Sequence, residues 1–293
     1  MKFKFWGVRG SIPTPGPQTV KYGGNTTCIE IRTDRNELII LDAGTGIHTL
    51  AQTLLKDMPI TAHIFITHTH WDHIQGLPFF IPIFFKNNRI TIYGGLDPVT
   101  GENINRALSA QLQYSYFPIH EAQLKARIDY MTIRPGETVS TGSARITPII
   151  LNHPVLNFGY RVDCDGSSLF FTGDFESPAN IYQSEDDDYE SYRFFLGEKH
   201  QEIIKAMNGV DALIVDSSYT DEEYAIRVGW GHGTYRSGIK LADEAKAKRL
   251  FLTHHEPTRT DADLDLIYQG LLEQHPQFAD KLFIAREGLE VCL

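Results

Sequence analysis

Cysteine is scarce in this chain: three residues in 293, Cys28, Cys164 and Cys292, and no CxxC pair among them. That excludes a disulfide framework and fits a reducing cytoplasm. Long apolar runs are missing as well. Residues 77–85 are apolar but short and interrupted by Pro78 and Pro82, so they cannot span a bilayer. The opening Met1-Lys2-Phe3-Lys4-Phe5-Trp6 reads as a first strand and lacks the continuous apolar core of a signal peptide. The expectation is a cytoplasmic protein without a membrane partner. There is no basic surplus: 27 Lys and Arg stand against 37 Asp and Glu, a formal charge of −10. This balance argues against a non-specific nucleic-acid surface. It leaves a small phosphorylated substrate open, because bound cations offset a local cluster of carboxylates. Nucleotide fingerprints are absent too. Asp42-Ala43-Gly44-Thr45-Gly46 follows a hydrophobic strand, but it lacks the lysine and spacing of a P-loop and is no GxGxxG turn. The acidic run Glu185-Asp186-Asp187-Asp188-Tyr189-Glu190 lacks the spacing of an EF-hand loop and reads as a solvated loop.

What the chain does hold is a dense group of imidazoles. Thr67-His68-Thr69-His70-Trp71-Asp72-His73 places four metal-capable side chains within six residues, directly after the β-prone Ile64-Phe65-Ile66. Alternate residues at a strand end share a face, so His68 and His70 can aim at one point while Asp72 and His73 approach from the turn. Imidazoles with a carboxylate suit zinc, iron or manganese. Three more candidates occupy the same kind of strand-to-loop position. His153 follows the apolar segment ending at Leu151 and precedes Pro154; Asp174 follows Leu169-Phe170-Phe171-Thr172-Gly173; His254 follows Leu250-Phe251-Leu252-Thr253. Their shared context is the argument that they converge with the first cluster. The turn at 42–46 is then expected to pass close to that cluster, with Asp42 hydrogen-bonding behind it.

The remaining pattern alternates strands and helices unevenly. Strands are expected at 3–6, 28–32, 37–41, 90–93, 126–132, 144–151, 158–164, 168–172, 212–215, 249–253 and 281–285. Helices are expected at 47–55, 99–113, 198–207, 237–247 and 262–275. Groups of strands with helices after each group predict an α+β architecture, a four-layer αββα sandwich of two mixed sheets with outer helices. A Rossmann-like fold would need more regular βα alternation. One domain over residues 1–293 is expected, with residues 100–125 an insertion that either covers the site or packs its aromatics into the core.

His68-Thr69-His70-Trp71-Asp72-His73, followed by His153, Asp174 and His254, resembles the metallo-β-lactamase-fold hydrolase superfamily over most of the chain. The resemblance implies a binuclear site of two divalent metal ions, zinc first, with manganese or iron also tolerated. It places His68, His70 and His153 around one metal, Asp72, His73 and His254 around the other, and Asp174 between them. His255 is an alternative to His254, although Leu252-Thr253-His254 matches the family pattern better. Gly229-Trp230-Gly231-His232-Gly233-Thr234, preceded by Asp216-Ser217-Ser218-Tyr219-Thr220, is similar to the phosphodiesterase-like branch that includes tRNA 3′-end-processing endonucleases and cyclic-phosphate hydrolases. Phe5-Trp6-Gly7-Val8-Arg9-Gly10-Ser11 and Tyr22-Gly23-Gly24-Asn25-Thr26-Thr27 look like a bacterial subgroup of that branch. The resemblance implies hydrolysis of a small phosphodiester, a cyclic nucleotide in first place, by metal-bound hydroxide. Asp72 would hold the nucleophile, and His232, oriented by Asp216, would assist the leaving group. The rival readings are an RNA 3′-end-processing endonuclease, a lactone or thioester hydrolase, and a non-enzymatic metal-dependent sensor. A homodimer is the family's expectation, with no contact surface legible in the sequence.

Overall fold

The structure is a computed structural model and describes residues 1–97 and 99–293. Its strands, in chain order, are β1 (Lys2–Gly7), β2 (Cys28–Arg32), β3 (Leu38–Leu41), β4 (Thr61–Phe65), β5 (Arg89–Gly94), β6 (Arg127–Thr132), β7 (Val139–Thr141), β8 (Ala144–Leu151), β9 (Asn157–Cys164), β10 (Ser167–Phe171), β11 (Ala212–Asp216), β12 (Leu250–Thr253), β13 (Leu282–Ile284) and β14 (Glu290–Cys292). They pair into two seven-stranded mixed sheets, in the orders β14-β1-β2-β3-β4-β5-β6 and β13-β12-β11-β10-β9-β8-β7. In each sheet the neighbours β3 to β6, or β10 to β13, run parallel, and the rest are antiparallel.

Side-chain alternation explains how the sheets stack. In β1, Lys2 is exposed while Phe3 and Phe5 turn inward and meet Phe251 of β12 across the interface; the rings of Phe3 and Phe251 stand edge-on, 5.3 Å apart. Each buried phenylalanine contributes about 1.5–3 kcal/mol relative to an exposed one. Strand β11 is buried along its whole length, as a parallel strand covered on both faces should be. The outer face of the first sheet packs on α1 (Gly46–Leu54), the single turn α2 (Trp71–Ile74) and α3 (Ile104–Gln111). After α4 (Tyr189–Met207) and the single turn α5 (Asp221–Tyr224) come α6 (Tyr235–Glu244) and α7 (Asp261–Gln274). Residues of α4, α6 and α7 cover the second sheet. The result is the expected four-layer αββα sandwich. No helix among the described residues is long and apolar enough to cross a membrane.

Besides the short β7, α2 and α5, which the sequence-based expectation does not include, three elements depart from it for identifiable reasons. The chain's last strand is β14, which pairs antiparallel with β1; it is short and partly exposed, so hydrophobic alternation does not mark it. Helix α3 starts at Ile104, because Gly101 adopts φ +70° and Asn103 caps the helix by accepting the Arg106 N–H. Helix α4 begins at Tyr189, well before the expected Glu198. Its first half buries almost nothing and carries no clear apolar stripe. The acidic run therefore leads directly into this helix.

The architecture sets the site's position. Parallel strands of both sheets point their carboxyl ends at one edge of the sandwich, where ligands of open α/β sheets are usually bound. Asp42, His68, Asp174, Asp216 and His254 lie at or just after the ends of β3, β4, β10, β11 and β12, and His153 follows β8.

Candidate metal centre

The turn after β4 brings His68 and His70 to the sandwich edge, and α2 supplies Asp72 and His73 from its single turn. The structure gathers these residues with the three distant candidates. His68, His70, His153 and Asp174 offer donor atoms within 4.8 Å of one another, as do Asp72, His73, Asp174 and His254. Asp174 belongs to both groups. Its Oδ1 lies 3.0 Å from Nε2 of His73 and 3.0 Å from Nε2 of His254, while its Oδ2 lies 3.4 Å from His68 Nε2 and 3.8 Å from His153 Nε2. Asp72 Oδ2 stands 3.2 Å from the same nitrogens of His73 and His254. His255, the alternative to His254, points away and uses Nε2 on the Ala285 carbonyl at 2.8 Å.

The other nitrogen of most of these rings is pinned, which fixes tautomer and orientation. Asp42 Oδ2 sits 2.7 Å from His73 Nδ1, and its two oxygens also accept the Thr67 N–H and hydroxyl. Asp42 itself adopts φ +61°, so the tight turn expected at 42–46 is present and serves the site. His153 Nδ1 donates to the Gly231 carbonyl at 2.9 Å. Ser218 Oγ lies 3.0 Å from His254 Nδ1 and donates to Asp216 Oδ1 at 2.9 Å. His232 Nδ1 faces Asp216 Oδ2 at 2.9 Å, and its ring stacks on that of His254 with centroids 4.8 Å apart. The two residues expected to form an oriented pair are thus in contact beside the cluster.

Burial and neighbouring charge split the histidines into two kinds. Desolvation, helped by the neighbouring rings, pushes His68 down to about 3 and lowers His70 and His153 as well, which favours neutral rings; His70 Nδ1 and His153 Nε2 lie 3.1 Å apart. Burial opposes charge on His73 and His254 too, but the surrounding carboxylates overcome it and raise both. At His232 burial is likewise outweighed, by Asp216 and then Asp174, and its value rises to about 9.

These residues fit a pair of metal ions. His68 Nε2, His73 Nε2 and Asp174 Oδ1 are buried without a hydrogen-bond partner, an arrangement that costs free energy unless a cation completes it. Tetrahedral ligands about 2.1 Å from one zinc ion stand roughly 3.4 Å apart. The contacts from Asp174 and Asp72 to the imidazoles, 3.0 to 3.8 Å, bracket that spacing. Mixed imidazole and carboxylate donors suit zinc, manganese or iron.

A family model described as "Beta-lactamase superfamily domain" matches residues 37–255. The chain belongs to that superfamily. It is accordingly a metal-dependent hydrolase of the metallo-β-lactamase fold. Among curated relatives, ribonuclease Z of Staphylococcus carnosus (strain TM300) is 26% identical over 324 aligned residues, covering 96% of this chain and 97% of the relative. Ribonuclease Z of Staphylococcus aureus (strain MW2) is 25% identical over 316 residues, covering 95% and 96%. Among solved structures, human short-form tRNase Z superposes with a TM-score of 0.65 at 18% identity, covering 100% of this chain and 99% of that one. Unliganded yeast PDE1 gives 0.60 at 18%, with the same coverage. These two likenesses concern the fold.

Several residues that shape the superfamily site had no role assigned from the sequence, although Gly10, Ser11 and Gly231 lie in the motifs that carry the resemblance. The Ser11 N–H donates to Asp72 Oδ2 at 2.8 Å from 61 positions away. Gly10 lies against His254: a Cβ there would come within 2.2 Å of the imidazole. Gly231, at φ +90°, leaves the space that His153 occupies, since its Cβ would meet Nδ1 at 2.3 Å. Buried Glu176 accepts the N–H groups of Gly229 and Gly231, both at 2.7 Å, and the Tyr224 hydroxyl at 2.6 Å. It holds the loop that delivers His232. A carboxylate two residues after Asp174 was the available signal.

Proposed function

We propose that this hydrolase is a binuclear phosphodiesterase acting on a small phosphodiester, a cyclic nucleotide in first place. The observation that carries the reading is the His232–Asp216 pair at the lip of the cluster, with the histidine side chain 14% exposed and the aspartate fully buried. His68, His70 and His153 would hold one cation and Asp72, His73 and His254 the other, with Asp174 shared; zinc is the first choice, and manganese or iron suit the same donors. Bound there, the cations supply Lewis acidity toward the phosphodiester and make water acidic enough to ionise near neutral pH.

The chain's own groups provide the rest. Asp72, fixed by the Ser11 N–H, orients the attacking water and takes its proton on a carboxylate oxygen. Asp216 Oδ2 pins Nδ1 of His232 and leaves Nε2 to carry a proton to the leaving alkoxide as the P–O bond breaks. Burial alone would strip the charge from that ring, and the carboxylates keep it loaded. A charged donor aimed at a departing oxygen suits a phosphate ester, whose leaving group is a poor one.

RNA 3′-end processing is the second reading, favoured by the two curated relatives named ribonuclease Z. The net charge of −10 counts against a long polyanion. Turnover by the metal-loaded chain and its His232→Ala variant separates the readings, using bis-p-nitrophenyl phosphate, 3′,5′- and 2′,3′-cyclic AMP, a precursor tRNA with a 3′ trailer, and a lactone. Cyclic-nucleotide hydrolysis should fall about 10²- to 10⁴-fold in the variant, with metal content retained. Cleavage of the tRNA alone would move the protein to RNA processing. Lactone turnover alone, indifferent to the substitution, would overturn the phosphodiesterase reading.

A further inference from the structure

A cavity of about 390 Å³ opens beside the metal centre, with His68 and Thr69 in its wall. It lies between α3 and the turn that joins β8 to β9. That volume falls among small-ligand pockets, which run roughly 300–1,000 Å³. Helix α3 shows why the space exists. Ile104 and Leu108 are buried in the core of the first sheet, with Ile104 also reaching the cavity; Ala107 and Ala110, three positions apart, stand on its wall. The facing wall is Val155 and Leu156, also apolar. Bulkier residues on α3 would close the gap, yet the helix carries methyl groups there.

The charged groups around this cavity argue about its occupant. Asp97, Glu102 and Arg106 line it, two carboxylates against one guanidinium. Arg106 is paired with Glu102 at 3.3 Å, and Asp97 is taken up by the Val99 and Thr100 N–H groups of its own loop. Among the described residues, this wall offers no surplus cation to a second phosphate. A flat, neutral, largely apolar group tethered to a phosphodiester at the metals matches it instead.

We infer that this cavity receives the nucleoside half of the substrate, so that the segment around α3 sets specificity while the cluster does the chemistry. The inference rests on the phosphodiesterase reading above and deepens it. It makes Ala107, Ala110 and Val155 specificity-determining residues, remote from the reacting atoms. The sequence leads one to expect that residues 100–125 either cover the site or pack their aromatics into the core; on this inference part of that segment walls one side of the substrate's place.

Two experiments test the inference, one of them free of turnover. Adenosine, which has no phosphate and cannot use the metal centre, is titrated calorimetrically into the metal-loaded wild type, Ala107→Leu, Ala110→Leu and Val155→Ala. Binding to the wild type, weakened about tenfold by either leucine, is the expected result. In parallel, KM for 3′,5′-cyclic AMP should rise about tenfold in the leucine variants, with hydrolysis of methyl p-nitrophenyl phosphate unchanged. Val155→Ala enlarges the space without crowding α3, and should weaken the nucleotide while sparing the small ester. Thermal melting confirms that each variant folds. No adenosine binding, or adenosine binding equal in all four proteins, overturns the inference and leaves the phosphodiesterase reading standing. Equal loss on the nucleotide and the small ester also overturns it. A wild type that binds adenosine in the cavity but hydrolyses no cyclic nucleotide would support the site and sink the function assigned to its neighbour.

Discussion

On one side of Asp174 stand His68, His70 and His153; on the other stand Asp72, His73 and His254. The first trio contains no carboxylate, its rings are driven neutral by burial, and its supports are uncharged, the Thr67 hydroxyl on His68 and the Gly231 carbonyl on His153. In the second trio, Asp72 together with the neighbouring Asp42, Asp174 and Asp216 raises His73 and His254 against their burial. The two halves therefore prepare for a cation differently. One offers neutral rings, with the hydrogen bond between His70 Nδ1 and His153 Nε2 to displace. The other surrounds its imidazoles with carboxylates that raise them, so metal uptake there should release more protons.

The largest blow to this contrast is to remove what both halves share. Asp174→Ala should abolish occupancy of both positions and lower turnover by several orders of magnitude, with metal content measured by emission spectroscopy. Loss of only one ion per chain would show that the halves are independent. Next come substitutions that strike one half each. Asp42→Asn weakens the partner of His73 Nδ1 and should cost about 10- to 100-fold in affinity for one of two ions. Gly231→Ala forces a Cβ against His153 and should loosen the other ion instead. Competition titrations with a chromophoric chelator distinguish these cases, and identical effects on both ions would erase the distinction.

The smallest expected effect concerns pH. In the metal-free chain His68 and His255 are held at about 3, against an ordinary 6.5 once unfolded. The unfolded chain then binds more protons between about pH 3 and 6.5, so these two rings make stability rise with pH across that window. His73 and His254 work in the opposite sense. Their contribution is complete below 6.5 and drains away as pH climbs through their raised values. Melting temperatures in chelator should accordingly pass through a maximum. His255→Gln, outside the cluster, should flatten the acid limb alone; an unaltered acid limb would refute the assignment of that ring as neutral.

The strand-end candidates His68, His153, Asp174 and His254 stand out because each follows closely on a run of apolar β-formers, with His70, Asp72 and His73 clustered behind the first; the His232–Asp216 pair is expected from the family resemblance alone, since Gly229-Trp230-Gly231 precedes His232. Periodicity also exposed several strands, such as β1 and β8, whose residues alternate between core and surface. What it could not expose were elements that bury little, such as β14 and the first half of α4. Nor could it expose groups whose contribution is a backbone atom or an empty space. Ser11 acts through its N–H and Gly10 through the Cβ it lacks; both lie in a family-like motif, but side-chain chemistry does not reveal either role. Ala107 and Ala110 read as ordinary helix residues until the cavity beside them is seen.

The sequence by itself determined the ligand chemistry, the strand ends that carry it and the αββα layering, because these follow from residue type and from the two-residue period of a half-buried strand. Tertiary structure alone decided that Asp174 touches both halves, that His255 turns away while His254 turns in, and that a cavity lies beside His68. Those facts depend on distances between residues far apart in the chain, which packing of the two sheets sets and local pattern does not encode.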